Sequence, residues 1–165
     1  MRFPSPAMFL LPGAGLPFRP VHGNLSQEGH NMPLIQVWLR KGTTPEHRKG
    51  ISKSIHRAMV DVLGIPEDDY FQVTHELDRD DMLFDPDYFG LPRSERFIMI
   101  RLSFNARPAA MKLKLFETIA NNLEKDPGLD RADMGMSIVE TTFENWWAHG
   151  RAVDPKTGTD SRMSA

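Results

Sequence analysis

The chain has 165 residues, enough for one domain with a substantial apolar core. Its net charge of −2 offers no basic field for nucleic acid or an anionic membrane, and no apolar run approaches the ~20 residues that span a bilayer. The lack of cysteine excludes disulfides, thiolate metal sites and a cysteine nucleophile, and fits a reducing compartment, the cytoplasm.

Residues 1–31 carry prolines at 4, 6, 12, 17 and 20 and follow neither a helical nor a strand period. Arg2 ahead of "AMFLLPGAG" has the outline of a signal peptide, although Pro12 breaks its apolar core. The composition also suits a disordered tail. A third reading puts the segment outside the working protein. Gln27-Glu28-Gly29 can be encoded by CAG-GAG-GGN, which contains the bacterial ribosome-binding sequence AGGAGG at a workable spacing before Met32. On that reading translation begins at Met32. The expected organisation is an extension over 1–31, one domain over 32–153 and a polar tail over 154–165.

Regular signals start at Pro33. "PLIQVWL" alternates as a strand, with Leu34, Val37 and Leu39 among its apolar residues. "RKGTT" turns, Thr44 suits an N-cap and Pro45 the first helical position, with Glu46 in the first turn. Ile51, Ile55, Ala58, Met59, Val62 and Leu63 recur at helical spacing until Gly64 and Pro66 end the helix. "YFQVTH" (70–75) reads as a second strand. Residues 76–95 form an acidic, turn-rich loop whose Met82, Phe84, Tyr88 and Phe89 must pack somewhere, a partner subunit being one place. "RFIMIRLSF" (96–104) is the strongest strand. Pro108 opens a second helix with Met111, Leu115, Phe116, Ile119 and Leu123 on one face, and "DPGLD" (126–130) breaks it. "MSIVETTF" (136–143) is a fourth strand, and "ENWWAHGRAV" closes the domain.

The halves correspond: Pro45 and Pro108 each start a helix after a strand, and Gly64 and Gly128 each follow one. Two tandem β-α-β units sharing one sheet give an α/β (α+β) domain. Right-handed crossovers put both helices on one face of four strands. No third helix covers the other face, so a homo-oligomer packing sheets inward is expected. Histidines 22, 30, 47, 56, 75 and 149 show no paired ligand spacing, and neither a phosphate loop nor a serine elbow is present. No metal or cofactor is expected.

"MPLIQVWLRKG", "GIPEDDYFQV", "RFIMIRLSFNARPAAMKLKLF" and "ENWWAHGRA", in this order and spacing, resemble the tautomerase superfamily over about residues 33–152. Within it the likeness is to the longer group that includes malonate semialdehyde decarboxylase. The resemblance implies a β-α-β fold assembled into homotrimers. It also implies catalysis by an amino-terminal proline, here Pro33, exposed when Met32 is removed. A free α-amino group titrates near 8, and burial or a nearby cation lowers that value. A neutral amine is then available as a general base, and a cationic one as a general acid. With anything attached upstream the nitrogen is an amide and has no such basicity. Pro33 also reads simply as a strand-initiating proline.

The resemblance further marks Arg107, whose family counterpart binds a substrate carboxylate. The family segment reads Gly-Arg-Ser or Gly-Arg-Thr, and here Ala106 and Pro108 flank the arginine. A guanidinium beside a helix start suits a bidentate carboxylate, though an exposed arginine is the plainer reading. Asn105 stands where the decarboxylase has a further arginine, a departure that weakens transfer of that activity. Arg101 is a substitute if it faces the pocket. Asp69 matches the acidic residue that activates water or positions substrate, and also reads as a solvated turn aspartate. Gln72, facing out of the following strand, is a weaker companion. Trp146, Trp147 and His149 lie where the family has an apolar wall; either tryptophan can match the family's, Trp147 is taken as the substrate-side residue, and an aromatic plug at a subunit interface is the alternative.

The expected function is keto-enol tautomerisation of small 2-oxo or enol carboxylic acids, with Pro33, Asp69 and Arg107 catalytic. Decarboxylation or hydration of small 3-oxo or unsaturated acids is the second reading. A non-catalytic binding or assembly module is the third, if residues 1–31 are retained.

Overall fold

The computed structural model describes residues 33–148, 150–154 and 156, with Arg151 described by its backbone alone. The expectations for residues 1–31, Met32, His149 and most of the tail lie outside the described residues.

Strand β1 (Leu34–Arg40) leads into α1 (Pro45–Leu63) and β2 (Phe71–Leu77). Strand β3 (Ile98–Asn105) leads into α2 (Ala109–Lys125) and β4 (Met134–Thr141). The sheet order is β2-β1-β3-β4, parallel within each unit and antiparallel where β1 meets β3. This is the expected pair of β-α-β units. A two-stranded hairpin, β5 (Trp147–Ala148) with β6 (Arg151–Ala152), closes the domain.

Helix α1 ends where its signals put it. Thr44 accepts from His47 N at 3.2 Å, and Gly64 takes the left-handed conformation at φ 68° that a side chain would oppose. Helix α2 starts one residue after the expected Pro108, which holds the N-cap position and makes no side-chain cap. The fourth strand begins two residues before the expected Met136. It includes Gly135, which carries no strand signal, because the Phe97 ring lies against it; a Cβ there would stand 2.9 Å from Phe97 Cζ.

Both helices bury one face against the same side of the sheet. The core joins Ile35, Val37 and Leu39 of β1 and Ile98, Ile100, Leu102 and Phe104 of β3 to Ile51, Ile55 and Met59 of α1 and Leu115, Ile119 and Leu123 of α2. The other sheet face carries Leu34, Phe71, Val73, Met99 and Val139, each more than a third exposed. Trp38 and His75 stack there at 5.2 Å, with the Arg101 guanidinium 5.5 Å above Trp38. Arg101 therefore rises from this open face. Its exposed apolar side chains lie on three neighbouring strands and on β4 beside them, on the face the helices leave uncovered.

The acidic loop packs on its own subunit. Arg40 meets Glu95 and the Met82 carbonyl and lies 4.5 Å from the centre of the Phe84 ring. Phe84 packs on Phe97 at 4.7 Å, and Arg93 lies over both Phe97 and Tyr88. Leu83, Phe89 and Leu91 stay exposed.

Candidate functional site

The sheet register gathers most of the sequence-predicted residues at one end. Leu34 pairs with Phe71 on one side and Ser103 on the other. Pro33, one step earlier, thus lies at the level of Tyr70 and Phe104 at the mouth of an interior strand. It is buried. Asp69 precedes β2 at this end, Asn105 is the last residue of β3, and Arg107 lies in the turn into α2.

Asp69 has one carboxylate oxygen, Oδ2, buried and without a hydrogen-bond partner. Burial, with Asp68 beside it as the smaller cause, pushes its pKa up to about 7. A carboxyl raised into the neutral range can donate or accept a proton there. Gln72 does not face out of the sheet. Its register partner is Ile35, which puts it on the helix side, where both its amide nitrogen and its amide oxygen are buried and unpaired. Two neighbouring orphaned groups at the start of one strand are an uncommon cost in a native fold.

Asn105 is only 6 % exposed. Its Oδ1 accepts from the Trp146 indole at 2.9 Å. An indole nitrogen can only donate, so this contact fixes the amide orientation and leaves the Asn105 NH2 group as a donor. The β5–β6 hairpin sets Trp146 in place: Val153 N donates to the Trp146 carbonyl at 3.0 Å. Trp147 is 72 % exposed. The sequence presents two adjacent tryptophans; the structure draws Trp146 to Asn105 and turns Trp147 outward.

Arg107 is half-buried. Desolvation pulls its guanidinium below its ordinary pKa, and an arginine remains charged regardless. Nη1 donates to the Ala106 carbonyl at 3.0 Å, and among the described residues no carboxylate pairs with this guanidinium. The backbone N–H of Arg107 donates to Glu140 Oε1 at 3.0 Å, and Lys112 Nζ meets the same oxygen at 2.9 Å. Glu140 and Lys112 were not legible as site residues, because only the β3–β4 register brings Glu140 to this junction. Arg101, on the open face, does not approach it through any described hydrogen bond.

This end of the sheet thus offers a half-buried cation with no carboxylate partner among the described residues, an oriented amide donor, a carboxyl that titrates near neutrality and an indole wall. Such a set suits a small carboxylate with a carbonyl or enol oxygen. A separate groove of ≈ 490 Å³ between α1 and the start of β2 is lined by Lys53, His56, Arg57, Val60, Glu67 and Tyr70, with none of the predicted site residues on its walls. Among the described residues, no group of three His, Asp or Glu is arranged to hold a metal, and no helix is long and apolar enough to cross a membrane.

Two family models, both described as tautomerase enzyme, match residues 33–92 and 69–147. Probable tautomerase YusQ of Bacillus subtilis (strain 168) is 29% identical over 123 residues, 73% of this chain and 97% of that protein. A malonate semialdehyde decarboxylase is 25% identical, with a TM-score of 0.66 over 70% of this chain and 89% of its own. Its crystal structures include wild type, a form with its first-position proline replaced by alanine, and an inactivated form, and they address decarboxylase and hydratase activities. A fused 4-OT solved as a symmetric trimer shares the fold, with a TM-score of 0.60 at 16% identity over 72% of this chain and 94% of its own. The two matched spans overlap and together run from Pro33 to Trp147, through both β-α-β units and the site end of the sheet, so the chain belongs to the tautomerase superfamily.

Proposed function

We propose that the working unit runs from Pro33 to about Val153 and tautomerises small 2-oxo or enol carboxylic acids, with the Pro33 amine as proton carrier. The observation that carries this reading is the burial of Pro33 at the mouth of an interior strand, at the sheet end that also holds Asp69 and Arg107. The family match that begins at residue 33 supports it. Burial disfavours the charged form of a free secondary amine and so favours the neutral base.

In ketonisation, neutral Pro33 takes the proton of the enol O–H. The oxygen electrons close the C=O bond, the C=C pair attacks a proton at C3, and the proline ammonium returns that proton. Arg107 holds the carboxylate, the Asn105 NH2 group and protonated Asp69 donate to the carbonyl oxygen, and Trp146 walls the pocket. Only one cation, Arg107, addresses substrate charge, because Asn105 is neutral. That favours monocarboxylates.

Decarboxylation or hydration is the second reading, favoured by the unpartnered Asp69 oxygen and its neutral-range pKa, which suit orienting a water. The apolar open face supports a homotrimer that packs sheets inward. If residues precede Pro33, the same fold is a binding or assembly module.

The test begins with intact mass of the native protein, expected to start at Pro33. Pro33→Ala is then expected to lower kcat/KM for phenylpyruvate ketonisation by about 10²-fold or more. A mass that includes Met1, or an alanine variant with full activity, rejects the proline mechanism.

A further inference from the structure

The turn that carries Arg107 has no local anchor. In α1 the equivalent junction is held by Thr44, whose hydroxyl caps the first turn. In α2 the cap position is Pro108, which supplies no side-chain acceptor. A side-chain acceptor reaches the residue before the cap from the neighbouring strand. Glu140 Oε1, on β4, takes the Arg107 backbone N–H at 3.0 Å and Lys112 Nζ at 2.9 Å. Lys112 stands in the first turn of α2, so one carboxylate ties both sides of Pro108 to the sheet.

A charge-assisted bond to a backbone N–H is stronger than a neutral one and fixes a peptide plane. The guanidinium, by contrast, has only its own neighbour's carbonyl at Ala106 among the described residues. The peptide is held and the side chain is open. Lys112 also neutralises a carboxylate that would otherwise compete for the guanidinium.

We propose that Glu140 is a positioning residue: by fixing the Arg107 peptide against β4 it sets the direction in which the guanidinium meets the substrate carboxylate. This rests on the carboxylate role of Arg107 put forward above. Pro108 makes no side-chain cap, and Glu140 on the adjacent strand holds the residue just before it.

The experiment compares Glu140→Ala, Glu140→Gln and Arg107→Ala in the processed protein, using KM and kcat for phenylpyruvate and the Kd of phenylacetate, a non-reacting carboxylate probe. Glu140→Ala is expected to raise KM and the phenylacetate Kd about tenfold while kcat stays within about threefold. Glu140→Gln retains an acceptor for the Arg107 N–H and is expected to stay within about threefold of wild type. In the Arg107→Ala background, Glu140→Ala is expected to add nothing. Where the alanine protein does not fold, Glu140→Thr, suited to a strand and too short to reach the N–H, replaces it.

An unchanged Kd in Glu140→Ala overturns the positioning role, as does additivity with Arg107→Ala or a loss in kcat alone. An unchanged phenylacetate Kd in Arg107→Ala, or a wild type that does not bind phenylacetate, sinks the carboxylate reading instead. Those results are separable, because the first set leaves Arg107→Ala impaired.

Discussion

Asp69 stands at the start of β2 and Asp133, 64 positions later, at the start of β4. The same step takes Pro45 to Ala109, the two helix starts, and Gly64 to Gly128, so the two carboxylates are repeat equivalents at opposite ends of the sheet. Their surroundings differ. Asp133 is buried with both oxygens satisfied, by Ser94 N at 2.6 Å and Ser94 Oγ at 2.5 Å. Asp69 keeps one oxygen buried and unpaired. At the ends of β1 and β3, Arg40 meets Glu95, the Met82 carbonyl and Phe84 while its Nε stays unpaired, and Asn105 contacts Trp146 with no partner for its NH2 group among the described residues.

A duplicated β-α-β frame thus offers two similar sheet ends, and the loop between the units fills one of them. Phe84, Arg93 and Ser94 from that loop cover Phe97 and Asp133. Both ends keep buried polar atoms without a partner, Arg40 Nε and Arg93 Nε at the filled end and Asp69 Oδ2 and the Gln72 amide at the other, but only the second leaves a carboxylate oxygen in that state. On the function proposed above, the filled end serves stability and the other end chemistry.

The largest expected effect breaks the contrast at the Pro33 end. Protein that retains Met32 has an amide at Pro33. It is expected to lose about 10²- to 10⁴-fold in kcat/KM on phenylpyruvate relative to the processed form, with melting temperature little changed. Mass-separated preparations assayed side by side provide the measurement. A retained-Met32 protein with full activity removes the chemical distinction between the two ends.

At the filled end the expected effect is on stability. Phe97→Ala empties the space between Phe84, Arg93 and Gly135 and is expected to cost about 3–5 kcal/mol, read by urea unfolding. Turnover per folded molecule should remain within about twofold of wild type. A large loss of turnover in protein shown to be folded would place that end in the chemistry.

The smallest effect concerns pH. Asp69 is raised from 3.8 to about 7 in the folded protein, so between these values the folded state binds more protons than the unfolded state. Stability contributed by the protonated carboxyl is present below about pH 4 and lost as pH rises to about 7. Asp69→Asn is expected to flatten that slope and to exceed wild type at pH 8 by about 1 kcal/mol, a figure discounted for the partial exposure of the group. Thermal melts from pH 4 to 8 measure it, and parallel curves for the two proteins would contradict the raised value.

The fold was legible because its punctuation is local. Thr44, Pro45 and Gly64 each act within one turn of where they stand, and the apolar alternation of β1 and β3 needs no tertiary knowledge. Gly135 was not legible, since its place in β4 depends on the ring of Phe97, 38 positions earlier. The end of the sheet that holds Pro33, Asp69, Asn105 and Arg107 followed from strand order and from resemblance. The partners of those residues did not. Glu140 reaches Arg107 through the β3–β4 register, and the choice between Trp146 and Trp147 depends on a two-stranded hairpin too short to announce itself. Gln72 was assigned the wrong side because "YFQVTH" alternates weakly and its parity is set by pairing with Ile35.

The position of Pro33 between two neighbouring strands also decides how this protein can be handled. On the mechanism proposed above, a purification tag or fluorescent label fused directly ahead of Pro33 would turn the nitrogen assigned to proton transfer into an amide. Fusions beyond Val153 leave that nitrogen untouched, so a carboxyl-terminal handle is the one this mechanism calls for.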